Sequence, residues 1–322
     1  MSQSPNKEHL SGYQARDYEV VDYRMYELGT DRLCFRGPAL GGNAAGDYFT
    51  CIGAAQTFGC FCEEPFPDLV AGAVGLPVLN LGYGGAGPEF FMRHGELDGF
   101  VNGGRFAIIQ VMSGRSQSNS MFEARGLEYL VRRSDGVALG SDAAYDELIF
   151  GPPALRRRPF GRVTRLVAPL FTADRVRRIV DETRAGWIES YRRLIARITV
   201  PKVLLWYSKR TPAYTEGTSS IQALFGEFPQ LVNEGMVAEV RKLCDHYVEC
   251  VSQRGSPQRL ASRFTGEPVS VDPAKDRPDL AAGKPWTHNS YYPSPEMHED
   301  AANALIPVCE RILSGGHPTK HE

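Results

Sequence analysis

Apolar residues recur along the chain in short runs that alternate with segments of helical spacing. Tyr48-Phe49-Thr50-Cys51-Ile52-Gly53 is a compact apolar and β-branched run, followed by the small-residue turn Gly53-Ala54-Ala55-Gln56-Thr57-Phe58-Gly59. This pattern predicts a buried strand that opens through a tight turn into a helix. Phe66, Leu69, Val70, Ala73 and Val74 then share one helical face, with Gly75 as the stop. Pro77–Leu81 predicts a second strand, and a helix through Phe90, Phe91 and Leu97 follows it. Phe106–Met112 predicts a third strand, apolar except at Gln110, as expected of a strand covered on both faces. Val176, Ile179, Val180, Trp187, Tyr191, Leu194 and Ile195 form the stripe of a long amphipathic helix, N-capped at Thr172 and ending near Ile198. Val203–Tyr207 and Tyr247–Val251 predict the fourth and fifth strands, with a helix capped by Asn233 between them. A Pro- and Asp-rich loop over about 254–293 precedes a final helix capped by Ser294, with Pro295 at its first position. Strands alternating with helices predict a doubly wound five-stranded parallel α/β sheet. Ligands on such sheets sit at the carboxyl ends of the strands.

The weaker patterns set the expected organisation. Residues 1–40 are polar and Tyr-rich and predict an N-terminal arm that packs late or crosses the domain. The α/β domain itself is expected over 41–314, with 113–172 as a helical insertion or lid and 315–322 as a flexible tail. Composition changes little: 42% hydrophobic and 23% charged residues are ordinary for a soluble globular chain. The net charge of -2 leaves no electrostatic footprint for nucleic acid. There is no run of about 18 apolar residues for a membrane span, and the polar N-terminus lacks an apolar leader core, so a cytoplasmic location is expected. Seven cysteines, an odd number set mostly in apolar runs, predict reduced buried thiols. Cys60-Phe61-Cys62 has no second pair to complete a metal site, and neither a metal nor a cofactor is expected.

The turn at Gly53–Gly59 resembles the first block of the SGNH (GDSL-like) hydrolases, Gly-Asp-Ser-x-Thr-x-Gly. Asn80-x-Gly82-x-x-Gly85 resembles the second block, and Gly114-Arg115-Ser116 or, with a shift, Asn119 would be the third. The last block reads Asn289-Ser290-Tyr291-Tyr292-Pro293-Ser294-Pro295-Glu296-Met297-His298, where the superfamily has Asp-x-x-His-Pro-Ser-x-x-Gly-His. The layout also resembles a bacterial branch of that superfamily which shares Phe35-Arg36-Gly37-Pro38 and the Thr57-Phe58-Gly59 turn. The resemblance implies the same fold, an oxyanion-type cradle with Gly85 in the hole-forming place, and a cleft for an acylated substrate. It also marks a departure. Ala55 stands at the nucleophile, Ala54 at the preceding aspartate, Asn289 at the orienting aspartate and Tyr292 at the base. The three replacements at the triad positions, Ala55, Asn289 and Tyr292, predict that ordinary serine hydrolysis is lost.

What remains predicts an uncharged polar pocket for a saccharide or similar small molecule, built from Gln56, Gly85, Ser116, Asn119, His288, Asn289 and Tyr292. The bland alternative is that these residues are vestigial and satisfy one another. His298 reads as a structural residue of the helix start. Arg156, Arg157, Arg158 and Arg162 form a cluster able to clamp a phosphate or sulfate, or merely a solvated basic face. An acyl- or sulfo-type transferase acting on a glycan is the second functional expectation. The third is dinucleotide binding through Gly82-x-Gly84-x-x-Gly87, against which stands the missing ribose-binding acid after the third strand. Oligomeric state is open.

Overall fold

The structure, a computed structural model, describes residues 12–41, 46–151, 161–215, 217–273 and 285–315, and the backbone alone of 161–171. In chain order the first half comprises α1 (Gly12–Asp17), the hairpin β1 (Tyr26–Leu28) and β2 (Leu33–Phe35), β3 (Phe49–Gly53), α2 (Ala55–Phe58), α3 (Phe66–Val74) and β4 (Val78–Gly82). There follow α4 (Pro88–Arg93), α5 (Leu97–Asn102), β5 (Ala107–Gln110), β6 (Phe122–Ala124), β7 (Tyr129–Arg132), β8 (Ala138–Gly140) and α6 (Ser141–Phe150). The second half comprises α7 (Gly161–Ala196), β9 (Lys202–Ser208), α8 (Ile221–Phe225), α9 (Glu234–Arg241), β10 (His246–Val251), β11 (Gln258–Arg259), β12 (His288–Asn289) and α10 (Pro295–Leu313).

Five strands form one parallel sheet in the order β4-β3-β5-β9-β10. Cys51 lies opposite Asn80 on one side and Ile108 on the other, so the strand ends of β3, β4 and β5 share one edge. Alternation along each strand sends side chains to two separate cores. Ile52, Leu81, Ile109 and Leu204 pack under α4, α5, α7 and α9, while Phe49, Cys51, Ile108 and Leu205 pack under α3 and α10. The sheet is therefore wound on both faces, as the continuous apolar runs predicted. β10, at the edge, alternates instead, with Val248 and Cys250 inward.

Two elements depart from the periodicity reading. The long helix starts at Gly161, not at Thr172. The Thr172 hydroxyl donates to the Ile149 carbonyl at 2.8 Å, tying α7 to α6, so it is a mid-helix brace and not an N-cap. The segment between β5 and α7 is also more than helical. It carries an antiparallel sheet, β6-β7-β8, over a third apolar cluster that includes Phe122, Leu130, Tyr145 and Val180.

The arm is knitted into the domain through buried polar groups. The Arg16 guanidinium pairs with Asp17 and lies 4.6, 5.1, 5.4 and 5.7 Å from the ring centres of Tyr13, Phe61, Trp286 and Tyr292. The Tyr23 hydroxyl donates to Asp17 at 2.6 Å. Arg36, 2% exposed, donates to the carbonyls of Phe58 (3.3 Å), Gly59 (2.9 Å) and Glu63 (2.6 Å), closing the turn after β3. All seven cysteines are free thiols, with Cys34 exposed and Cys244 half-buried. Among the described residues no helix is long and apolar enough to cross a membrane, and no three metal-type side chains cluster.

Candidate functional site

The site is built on the turn from β3 into α2. Gln110, the one polar residue of its strand, explains why the turn takes this shape. Its Oε1 accepts from the Ala54 amide at 3.0 Å and from the Thr57 hydroxyl at 2.7 Å. A side chain at Gly53 would overlap the Thr57 hydroxyl and Gln110 Oε1, which is why the position is glycine. Asn80 completes the bracket from β4, donating to the Thr57 carbonyl at 3.0 Å and accepting from the Gly82 amide at 2.9 Å. The result presents Ala55 and Gln56 at the carboxyl edge of the sheet, the place where open α/β sheets bind ligands.

A cavity of about 50 Å³ opens there, and Ala55, Gln56, Gly85, Ser116 and Tyr292 line it together. The Ser116 hydroxyl donates to the Gly85 carbonyl at 3.1 Å. Tyr292 faces the turn from the segment before α10, its hydroxyl 3.5 Å from that of Tyr13. Burial pushes the Tyr292 phenol far above the ordinary range, with the neighbouring Cys60 adding to the effect and Arg16 opposing it. It is a neutral hydroxyl at neutral pH and not a base. Burial raises Tyr13 in the same way.

The other expected residues lie elsewhere. Asn289 is buried behind Tyr292 and shapes its backbone. Its Oδ1 accepts from the amides of Tyr292 (2.8 Å) and Tyr291 (3.2 Å), and its Nδ2 donates to Gln258 Oε1 at 2.9 Å and the Tyr292 carbonyl at 3.1 Å. Asn119 lies under α7, donating to Thr183 at 3.1 Å and accepting from the Phe122 amide at 2.9 Å, so it braces the insertion. His288 is exposed on β12, its Nδ1 3.1 Å from the Thr287 hydroxyl. Arg156, Arg157 and Arg158 lie outside the described residues, and only the backbone of Arg162 lies within them. His298 is fully buried, its Nδ1 accepting from the Phe66 amide at 3.1 Å. Burial, reinforced by Arg36, pushes its imidazole down to about 3.

The glycines after β4 answer to packing. A methyl on Gly82 would overlap the Phe58 backbone, one on Gly84 would meet the Tyr13 ring at 2.6 Å, and Gly85 has a φ of +75° beside Glu128.

Five further residues complete the surroundings: Arg115, Gln230, Phe228, Tyr291 and Lys209. The Arg115 guanidinium is ion-paired with Glu128 and with Asp142 (3.3 Å), and it donates to the Tyr291 hydroxyl at 3.1 Å. Its charge is thus taken up within the protein. Gln230 donates to the same hydroxyl at 3.2 Å. Gln56, Phe228 and Tyr291 form a wall shared with a second, larger cleft of about 240 Å³ at the end of β9. Lys209, directly after the fourth core strand, carries a readable signal outside the motif blocks: a charged residue at a strand's carboxyl end.

A doubly wound parallel sheet with paired cavities at the carboxyl edge defines an α/β protein of the strand order 2-1-3-4-5 when its five core strands are numbered along the chain. The chain belongs to the family described as a domain of unknown function, DUF6473, which matches residues 12–129 and 164–313. None of the curated proteins matches it. Among solved structures it is similar to phospholipase A1 from Streptomyces albidoflavus, at 12% identity and a TM-score of 0.42, over 83% of this chain and 99% of that one. It is similar to a carbohydrate acetylesterase family member from Sinorhizobium meliloti at 11% identity and a TM-score of 0.38, over 83% and 99%. A third similar structure is a carbohydrate esterase family 2 enzyme with a carbohydrate-binding domain from Corynascus thermopiles (Myceliophthora fergusii), at 10% identity and a TM-score of 0.37, over 89% and 71%.

Proposed function

We propose that this protein binds a small polar ligand of the saccharide class in an SGNH-like cleft and does not cleave it by serine chemistry. The observation that carries the reading is the pairing of Ala55 with Tyr292. At the turn where a nucleophile would stand there is a methyl group, and facing it is a buried neutral phenol. The two serine hydroxyls on the cavity wall have other duties: Ser113 accepts from the Arg115 amide at 3.2 Å, and Ser116 donates to Gly85. Among the described residues neither is hydrogen-bonded to a histidine that could activate it. Losing a catalytic triad costs on the order of 10⁶-fold in rate. A polar cavity at the strand ends retains its binding capacity without one.

The test sets ester hydrolysis beside binding. Wild type and the triple variant Ala55→Ser, Asn289→Asp, Tyr292→His are assayed on acetylated sugars and a chromogenic ester, and a panel of neutral and acidic saccharides is titrated calorimetrically. Saccharide binding without turnover by the wild type, and turnover by the triple variant, is the expected result. Turnover by the wild type that disappears in Tyr292→Phe or Gln56→Ala would overturn the reading, as would a panel from which nothing binds.

A further inference from the structure

Resting on that binding reading, we infer that the larger cleft beyond Gln56 is the ligand site proper, and that it takes a small polyhydroxylated carboxylate, a sugar acid, whose anionic group pairs with Lys209.

The cleft has a volume of about 240 Å³, just below the range for drug-sized ligands, which leaves room for one sugar-sized unit. Three residues on its wall each carry a buried polar atom that has no hydrogen-bond partner among the described residues: Gln56 Oε1, Gln230 Oε1 and the Tyr207 hydroxyl. Buried polar atoms in native proteins are overwhelmingly paired. Three orphans around one cleft point to a partner supplied from outside. The Gln230 amide nitrogen is engaged by the Tyr291 hydroxyl, which turns its carbonyl to the unpaired position. The orientation of a side-chain amide can otherwise exchange donor for acceptor, and a ligand hydroxyl serves as either. That favours a polyol over a ligand with donors alone.

Lys209 supplies the charge. It is the residue after β9, half-buried, and its ammonium donates to the Ser256 hydroxyl at 2.8 Å and to the Ser290 carbonyl. Both partners are neutral, and among the described residues no carboxylate lies within ion-pair distance of it. An ammonium has three donors, so one remains. Burial lowers its pKa, offset in part by Glu227, which is exposed at the rim. The contrast with Arg115 is direct: that cation is ion-paired with two carboxylates across the shared wall, whereas Lys209 forms no ion pair among the described residues and feels only the more distant Glu227. Phe228, Tyr291 and Met297 give the cleft an apolar side against which the C–H face of a sugar ring packs.

The experiment is calorimetric titration of the full chain with D-glucuronate, D-glucose and acetate at low ionic strength, on wild type, Lys209→Met and Lys209→Arg. Glucuronate is expected to bind wild type at least about tenfold more tightly than glucose. Lys209→Met should bring the two sugars within about twofold, and Lys209→Arg should restore part of the preference. The preference should also shrink as salt rises, a reading on wild type that stands even if Lys209→Met does not fold. Equal affinities for glucose and glucuronate overturn the anion assignment and leave the binding reading intact. Acetate binding as tightly as glucuronate overturns the polyol assignment. Failure of glucuronate with a neutral sugar bound overturns the inference alone, and failure of every saccharide overturns both.

Discussion

His298 offers the sharpest physical prediction. Its Nδ1 accepts from the Phe66 amide at the start of α3, and its ring lies 6.1 Å from that of Phe66 and 5.5 Å from that of Tyr207. Nδ1 is therefore the unprotonated nitrogen, and taking up a proton would cost both burial and this hydrogen bond. The folded-state value is depressed to about 3 from 6.5. A depressed histidine binds fewer protons folded than unfolded, so stability is complete above the unfolded value and is lost as pH falls through it. At about pH 5 the loss is 1.5 units at 1.36 kcal/mol each, about 2 kcal/mol. His298→Asn keeps an acceptor near the Nδ1 position and does not titrate. At about pH 8 the variant should be less stable than wild type by about 1–3 kcal/mol, for lost ring packing. As pH falls to about 5 that gap should shrink by about 2 kcal/mol, because only wild type takes the proton penalty. Urea unfolding of both proteins across this range, with equal slopes, measures it. A gap that stays constant from pH 8 to pH 5, at about the precision of that method, would refute the burial argument.

Arg36→Lys should destabilise by about 2–4 kcal/mol in urea unfolding, because one ammonium cannot reach the three carbonyls that the guanidinium fork spans. A change under about 0.5 kcal/mol would show that the turn closes without it. Gly82→Ala should cost more than about 2 kcal/mol, since the obstacle is the Phe58 backbone, whereas Gly72→Ala, with open space on the exposed face of α3, should be neutral or stabilising by up to about 1 kcal/mol. Equal effects of the two would sink the packing account of these glycines. Thiol titration of the native protein should show one fast group, Cys34, and seven after denaturation. Of the others five are buried and Cys244 is half-buried, and burial pushes Cys62, Cys244 and Cys309 up to about 12, which keeps all six slow. Two or more fast groups in the native state would contradict the burial described for them.

Four of the five parallel strands were legible because burial on both faces leaves no alternation to confuse: β3, β4 and β5 are buried at every position and β9 at all but its first. The small sheet β6-β7-β8 was not, since its strands are three or four residues long and mix buried with half-exposed positions. The arm resisted for a different reason. Its anchors are Gln14, Arg16, Asp17 and Arg36, all buried, and hydrophobic periodicity is blind to polar groups that find partners. At the site, Gln56, Gly85, Ser116 and Tyr292 were reachable from motif order. Glu128 and Gln230 come from segments brought in by tertiary packing, and nothing local in their sequence marks them. Asn119 sits only three residues from Ser116, yet the intervening turn sends its side chain to Thr183 under α7. A short shift along a loop changes the destination completely where no periodic element fixes direction.

The aromatic cage around Arg16 has a consequence for how the molecule is made. Tyr13 and Tyr292, whose hydroxyls meet, are 279 positions apart. Three of the cage's neighbours, Phe61, Trp286 and Tyr292, lie outside the arm, and two of those come from near the far end of the chain. During synthesis from the amino end, the sheet strands β3, β4 and β5 can pair while α1 still has no Trp286 or Tyr292 to close over it. Contacts of such sequence separation also form late, because their closure entropy is offset only by the finished structure. The residues of α1, made before the sheet strands, are thus among the last to settle. The cavity at Ala55 acquires its final wall only when Tyr13 and Tyr292 have met.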